Sequence, residues 1–261
     1  GTAFYKDAFR RQVRLLKEMG CDAIRTSHNT PCPWQMDICD EMGMMVMAES
    51  FDMWKIPKCK NGYARFFDET DTEHVNADGQ KWYLRDISNL VRVNRNHPSI
   101  VTWTPMNEEW WPDRVQFPRF VSDVYDITKA LDPTRPVCDV SGGVHVKTDI
   151  WTTHNYEQDP KKLKDIIYNG KRWFQTPNHG VGFPQRNVGF NRHTETNIYA
   201  YPTYTEPNMP YLLDEFGGIK WVKGQDEQTG NDQKSWGYGE PPHSLEEFYT
   251  RLEGQVDALM E

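Results

Sequence analysis

Short apolar runs and amphipathic stretches take turns along most of this sequence, and that exchange narrows the possible folds sharply. Residues 7–19 carry Phe9, Val13, Leu16 and Met19 on one helical face, with Gly20 as a stop. CDAIRTSH (21–28) reads as a short strand that ends in polar residues. Pro33 opens a second helix that runs to Met42, and Gly43 closes it. MMVMAES (44–50) is an apolar run leading into Glu49, the pattern of a strand covered on both faces. A helix is expected over 80–95, ending before Pro98, and then a strand over 99–108. Phe120, Val124, Ile127 and Leu131 define a further helix, stopped at Asp132-Pro133. Strands are expected at 136–141, 149–154 and 211–216, and a short helix near 159–169. Segments 170–209 and 217–243 lack a period and read as long loops, which in a compact domain usually carry function. Ser244 and Glu247 form a capping box for a last helix with Phe248, Leu252, Val256 and Leu259 on one face.

Strand–helix alternation of this kind implies an α/β fold with a parallel sheet and helices outside it. The length of 261 residues fits a (β/α)8 barrel as one domain. Six strands can be counted, so the barrel is expected to be incomplete, its first and last strands outside residues 1–261. The net charge of −8 argues against nucleic acid as a partner, because a phosphate binder presents a basic surface. No apolar run is long enough for a membrane helix, and no signal peptide is visible. The five cysteines (Cys21, Cys32, Cys39, Cys59, Cys138) are odd in number and form no CxxC pair. Buried free thiols are expected rather than a disulfide framework or a zinc site.

In a barrel of this type the chemistry gathers at the carboxyl ends of the strands. Those ends carry Arg25, Ser27, His28 and Asn29; Glu49 and Asp52; Asn107, Glu108 and Glu109; Asp139; His154 and Tyr156; Asp214 and Glu215. Polar groups are costly in a buried strand unless paired, so their concentration there is informative. Two carboxylates across one mouth can divide the roles of acid and nucleophile. Glu108 and Glu215 end the third and sixth strands counted, which become strands four and seven if one strand precedes them. Three steps around an eight-membered ring sets them on opposing sides. Glu109 is the rival acid, but the Asn-Glu pairing and strand parity favour Glu108. Glu49 reads as a structural carboxylate or a pocket residue, and His97 as structural. Trp54, Trp110, Trp111 and Trp221 offer flat apolar faces that stack on a ligand ring or fill core. No H-E-x-x-H, G-x-S-x-G or G-x-G-x-x-G pattern occurs in the contexts that would signal a metallohydrolase, a serine hydrolase or a dinucleotide site.

RTSHNTPCPWQMDICDEMG, AESFDMW, RNHPSIVTWTPMNEEW and LLDEFGG together resemble the catalytic barrel of glycoside hydrolase family 2, over nearly the whole chain. The resemblance implies a (β/α)8 barrel and a retaining exo-β-glycosidase that works through a covalent glycosyl-enzyme. It implies that Glu108 is the general acid/base, Glu215 the nucleophile, and Asn107 a ligand of the sugar 2-hydroxyl. Arg25, His28, His154, Tyr156 and Trp221 become substrate-pocket residues; Tyr156 steadies the nucleophile and Arg25 helps hold it ionised. Met106 and Asp214 depart from the family, which often has Gly and Ser there. NEEWWPDR lacks the His of the magnesium-binding members, so neither metal nor cofactor is expected. The family's β-sandwich domains are not expected within 1–261; they would be partners in a parent enzyme. β-Galactoside is the first substrate expectation, with β-glucuronide and β-mannoside as alternatives in the same family. A non-catalytic excised fragment is the second reading, and a metal-dependent barrel hydrolase the third.

Overall fold

The computed structural model describes residues 5–56, 63–71, 79–109, 115–170, 199–200, 210–222, 224 and 236–260. The chain divides into two compact units, Gly1–Thr152 with Asn208–Tyr211, and Thr153–Pro207 with Leu212–Glu261.

The first unit is built on β1 (Ala23–Arg25), β2 (Met45–Phe51), β3 (Ile100–Asn107) and β4 (Val140–Ser141). They form one parallel sheet in sequential order. Helices α1 (Lys6–Glu18), α2 (Pro33–Met42) and α3 (Trp82–Asn94) link and flank the first three strands, and α4 (Gln116–Leu131) follows β3. Helix α1 packs on α2, and α3 on α4. Pro33 occupies the first turn of α2, and Cys32 N–H donates to the Gln35 side chain (2.9 Å). Gly43 ends α2 in the left-handed region at φ 66°, where a Cβ is disfavoured.

Strand β2 decides what faces the site. Side chains alternate along a strand, so Val46 and Ala48 join the core under the helices while Met47 and Glu49 point the other way. That core includes Val13, Met36, Ile38, Leu90, Val91, Ile100 and Trp103. A register shift sets Val46 opposite Ile100 but Met47 opposite Thr102. The extra residue, Val101, lets Ile100 and Trp103 both reach the helix side. Phe9 and Leu16 of α1 pack on this core as their spacing predicts, but Met19 lies past the helix and is 72% exposed.

The predicted strand over 136–141 is shorter than its sequence pattern. Val137 bridges Trp103, but Asp139 N–H turns to Thr148 Oγ1 (3.2 Å) and leaves the ladder. The Asp139 carboxylate collects the N–H groups of Val140, Val146 and Lys147. Only Val140–Ser141 pairs regularly with β3, and Asp139, expected among the strand-end polar residues, is fully buried. A further short strand, β5 (Val144–His145), follows, then β6 (Trp151–His154). The two-residue β7 (Tyr199–Ala200) falls inside the stretch expected to be loop.

At the amino end of β3, His97 Nδ1 bonds Asp40 Oδ2 (2.7 Å), and Asp40 Oδ1 accepts Ser99 N–H (2.9 Å). Arg135 donates to the carbonyls of Arg95, His97 and Ile100 and to Asp132 Oδ2, which also takes Trp103 Nε1. His97 thus fastens the loop before β3 to α2, a structural role.

In the second unit, α5 (Pro160–Gly170) packs on α6 (Leu245–Met260), and the end of β6 runs beside β8 (Tyr211–Glu215). Ser244 Oγ accepts Glu247 N–H (3.1 Å), while Glu247 reaches back to His243 N–H (2.8 Å), one residue earlier than in the standard box. The buried face of α6 is rotated from the expected stripe. Gln255 and Ala258 are buried, Val256 is 37% exposed, and Gln255 Nε2 donates to Glu157 O (3.0 Å). That hydrogen bond compensates a polar group on the inner face.

Candidate active site

The first unit presents a connected polar network at the carboxyl ends of β1, β2 and β3. The Glu49 carboxylate is fully buried and meets Arg25 Nε on one oxygen and His28 Nδ1 (2.7 Å) on the other. Arg25 also donates to Asn107 Oδ1 (2.8 Å) and lies 3.2 Å from His28 Nδ1. Asn107 Nδ2 donates to Asp52 Oδ1 (2.7 Å), and Asn107 N–H to Asp52 O (3.0 Å). The Asn107 amide is therefore oriented: its oxygen faces Arg25 and its nitrogen faces Asp52. Thr26 Oγ1 accepts Glu49 N–H (2.9 Å) and anchors the strand beneath.

Glu108 follows at once and has φ 46°, the one non-glycine residue with positive φ among those described. Its N–H still donates to Ser141 O (2.8 Å), so the backbone is held by the sheet while the chain turns. A left-handed non-glycine conformation at a strand end is costly and is found preferentially at functional sites. Glu108 is half-buried, whereas the neighbouring Glu109 is fully buried and accepts Trp54 N–H.

The second unit presents Glu215 at the end of β8. Tyr156 donates its hydroxyl to Glu215 Oε2, and His154 Nε2 lies 3.5 Å from Oε1 and 3.4 Å from Asp214 Oδ1. Asn155 N–H donates to Glu215 O (3.0 Å), so the nucleophile candidate is tied through both backbone and side chain. Tyr238 stacks on Tyr156, ring centres 3.9 Å apart and planes within 14°.

Of the expected site residues, the structure joins Arg25, His28 and Asn107 in one network and His154, Tyr156 and Glu215 in another. Within its own unit Arg25 pairs with Glu49 and Asn107. Trp221 packs on Phe248 of α6 (5.8 Å). Trp54 is buried among Phe51, Tyr63 and Phe120, with Nε1 donating to Pro105 O (3.2 Å), so it is core and not a sugar platform. Trp110, Trp111 and Cys59 lie outside the described residues. The sequence reading missed Tyr238, which stands in an aperiodic loop; its only trace is the dense Trp-Gly-Tyr-Gly run at 236–239.

Cys138, Asp139 and His145 bring possible metal-ligand atoms within 4.8 Å of one another, all buried. Their atoms already serve each other and the backbone. His145 Nδ1 bonds Asp139 (2.6 Å), Cys138 Sγ lies 3.4 Å from Thr152 Oγ1, and Asp139 holds three N–H groups. This saturation makes the cluster a structural network. Among the described residues no helix is long and apolar enough to cross a membrane.

The glycosyl hydrolases family 2, TIM barrel domain, matches residues 1–215, and the chain belongs to this family. Its four parallel strands are part of a (β/α)8 barrel, and residues 216–261 lie beyond the matched span. The chain is 43% identical over 115 residues to the β-galactosidase BoGH2A of Bacteroides ovatus, a stretch covering 43% of this chain and 12% of that protein. It is 36% identical over 138 residues to a putative β-glucuronidase of Formosa agariphila, covering 52% of this chain and 11% of that protein. The chain therefore spans about an eighth of the length of these relatives. The crystal structure of a β-galacturonidase from Eisenbergiella tayi superposes with a TM-score of 0.65 at 20% identity, over all of this chain and 38% of that one. That likeness concerns the fold.

Proposed function

We propose that this chain carries the acid/base and the nucleophile of a retaining β-glycosidase acting on terminal β-linked sugars. The two units are read as parts of one catalytic barrel, 1–261, since the family match runs through both. The observation that carries the reading is the hold on Glu215 by the Tyr156 hydroxyl, with the His154 imidazole 3.5 Å from its other oxygen. A carboxylate fixed in this way is presented for in-line attack without a reorganisation cost at the moment of reaction.

In this mechanism Glu215 attacks the anomeric carbon while Glu108 gives its proton to the leaving oxygen. Water, deprotonated by Glu108, then releases the sugar with retained configuration. The reading requires the two carboxyl groups to lie about 5–5.5 Å apart during turnover. Asn107, fixed by Arg25 and Asp52, is positioned to bond the sugar 2-hydroxyl beside the acid. His28 lines the same pocket in this reading, and Trp221 is a further substrate-pocket residue.

β-Galactoside is the favoured substrate. The relative with 43% identity is named a β-galactosidase, and Arg25, the cation in the first network, is engaged by Glu49 and Asn107 rather than offered to a sugar carboxylate. β-Glucuronide is the second reading, supported by the name of the 36% relative. Accessory domains of a parent enzyme are proposed partners, with carbohydrate as the substrate.

The test is a panel of aryl β-glycosides, followed by azide rescue of Glu215→Gly. Rescue that yields the glycosyl azide of inverted configuration supports the assignment. Unchanged hydrolysis in Glu215→Gly rejects it. The panel is run on this chain and on a version extended at both ends; turnover by the longer version alone assigns the activity to the parent.

A further inference from the structure

We infer that Tyr238 is a positioning residue for the nucleophile, acting through Tyr156; the inference rests on the proposed role of Glu215. Tyr156 directs its hydroxyl to Glu215, but a tyrosine ring swings about two side-chain bonds unless something holds its face. Tyr238 is what holds it, with ring centres 3.9 Å apart and planes 14° from parallel. The stacking is built in by the backbone. Tyr238 N–H donates to Gly218 O (2.8 Å), and Tyr238 bridges Ile219. Gly218, at φ 65°, leaves the space that the ring fills: a Cβ there would stand 2.7 Å from Tyr238 Cδ2. Trp236 also packs on Tyr238 in an edge arrangement, with centres 5.4 Å apart. Gln158 Nε2 donates both to Tyr156 O (2.9 Å) and to Gly217 O (2.8 Å), which ties the two stacked segments together. Residues 217–219 and 236–239 thus clamp the tyrosine that holds the residue at the end of β8. Tyr238 reaches Glu215 through Tyr156, so its effect is orientation.

The probe is 2-deoxy-2-fluoro-β-D-galactosyl fluoride on the full chain. Glu215 Oε forms a bond to C1, the C1–F bond breaks and fluoride leaves with its electron pair. No acid is needed, so labelling isolates the nucleophile. Intact mass gives the rate and peptide mapping gives the site. Tyr238→Leu is expected to slow maximal labelling about tenfold or more, the scale of a small misplacement of a reacting group, while the concentration for half-maximal rate changes less than about twofold. Tyr238→Phe, which keeps the ring, should label within about twofold of the parent rate. In a Tyr156→Phe background, Tyr238→Leu should add less than about twofold, because the group it positions is gone. Gly218→Ala displaces the ring without deleting it and should also slow labelling, with thermal unfolding confirming a folded protein. A parent-like rate in Tyr238→Leu, or full additivity with Tyr156→Phe, overturns the inference while leaving Glu215 as nucleophile. If Tyr238→Leu does not fold, Gly218→Ala decides alone, and a parent-like rate there overturns the inference. Absence of label on Glu215 from the 2-fluoro galactosyl, glucuronyl and mannosyl fluorides alike, in this chain and in the version extended at both ends, overturns the glycosidase reading, and this inference with it.

Discussion

Arg25 and Glu49 form an ion pair almost wholly removed from water, with side-chain exposures of 9% and 0%. The pair joins β1 to β2 and leaves the other Arg25 donors for Asn107. Removing one charge strands the other. Glu49→Gln is expected to cost about 3–5 kcal/mol in urea unfolding, against a smaller loss for the double change Arg25→Met/Glu49→Leu. The double variant should regain stability but lose glycoside turnover, since Asn107 Oδ1 then loses Arg25 and the side chain keeps only Asp52. A Glu49→Gln variant as stable as the parent would contradict this account.

Adjacent glutamates at the end of β3 are expected to behave oppositely. Glu108→Gln should reduce hydrolysis of substrates with poor leaving groups by about 10²–10⁴, the usual worth of a general acid, and leave unfolding unchanged. Glu109→Gln weakens a charged acceptor of the buried Trp54 N–H and should cost about 1.5–3 kcal/mol of stability. Paired activity and unfolding measurements on the two variants distinguish the roles.

Acid sensitivity should originate at the amino end of β3. Burial alone would raise the Asp40 carboxyl, but hydrogen bonds from Ser99 and His97 outweigh it and hold the group below its ordinary value of 3.8. The contribution of a carboxyl lowered in the folded state is fully present above its unfolded value, and is lost as pH falls through the folded one. Asp132 and Asp149 are lowered in the same way: burial opposes, while Thr134 and Arg135 for the first, and Tyr125 and Val137 for the second, prevail. The stability gap between the parent and Asp40→Asn should therefore be constant above about pH 5 and close progressively below 3.8. A gap that widens on acidification would refute the sign.

Thiol chemistry should be graded by burial. Burial pushes the Cys39 thiol up to about 12, with Asp40 adding to the rise, and Cys138 is fully buried. At pH 8, residue-resolved alkylation should reach the half-buried Cys21 and Cys32 first and leave Cys39 and Cys138 unmodified until denaturant is added. Early modification of Cys39 would show that α2 opens locally in the native state.

Much of the first unit was legible because each element announces itself locally. Pro33 and Gly43 bracket α2, the apolar run marks β2, and the helical spacing of α1, α3 and α4 is regular. Elements that depend on distant partners were less readable. β4 is cut short because Asp139 turns its N–H and carboxylate away from the ladder. The inner face of α6 is rotated because Gln255 finds a carbonyl at Glu157, a contact with no trace in the apolar period. Trp54, which the sequence leaves open between a sugar platform and core, is core because Phe51 and Tyr63 surround its ring.

Chain order, helix limits and the run of polar residues at strand ends belong to the sequence itself, because propensity, capping and periodicity act over a few residues. The partner of each charged group was decided by the tertiary structure: Glu49 found Arg25 across 24 positions and Glu215 found Tyr156 across 59. Strand register and the return path of a loop bring such groups together, and both are settled only when the sheet pairs and the core closes.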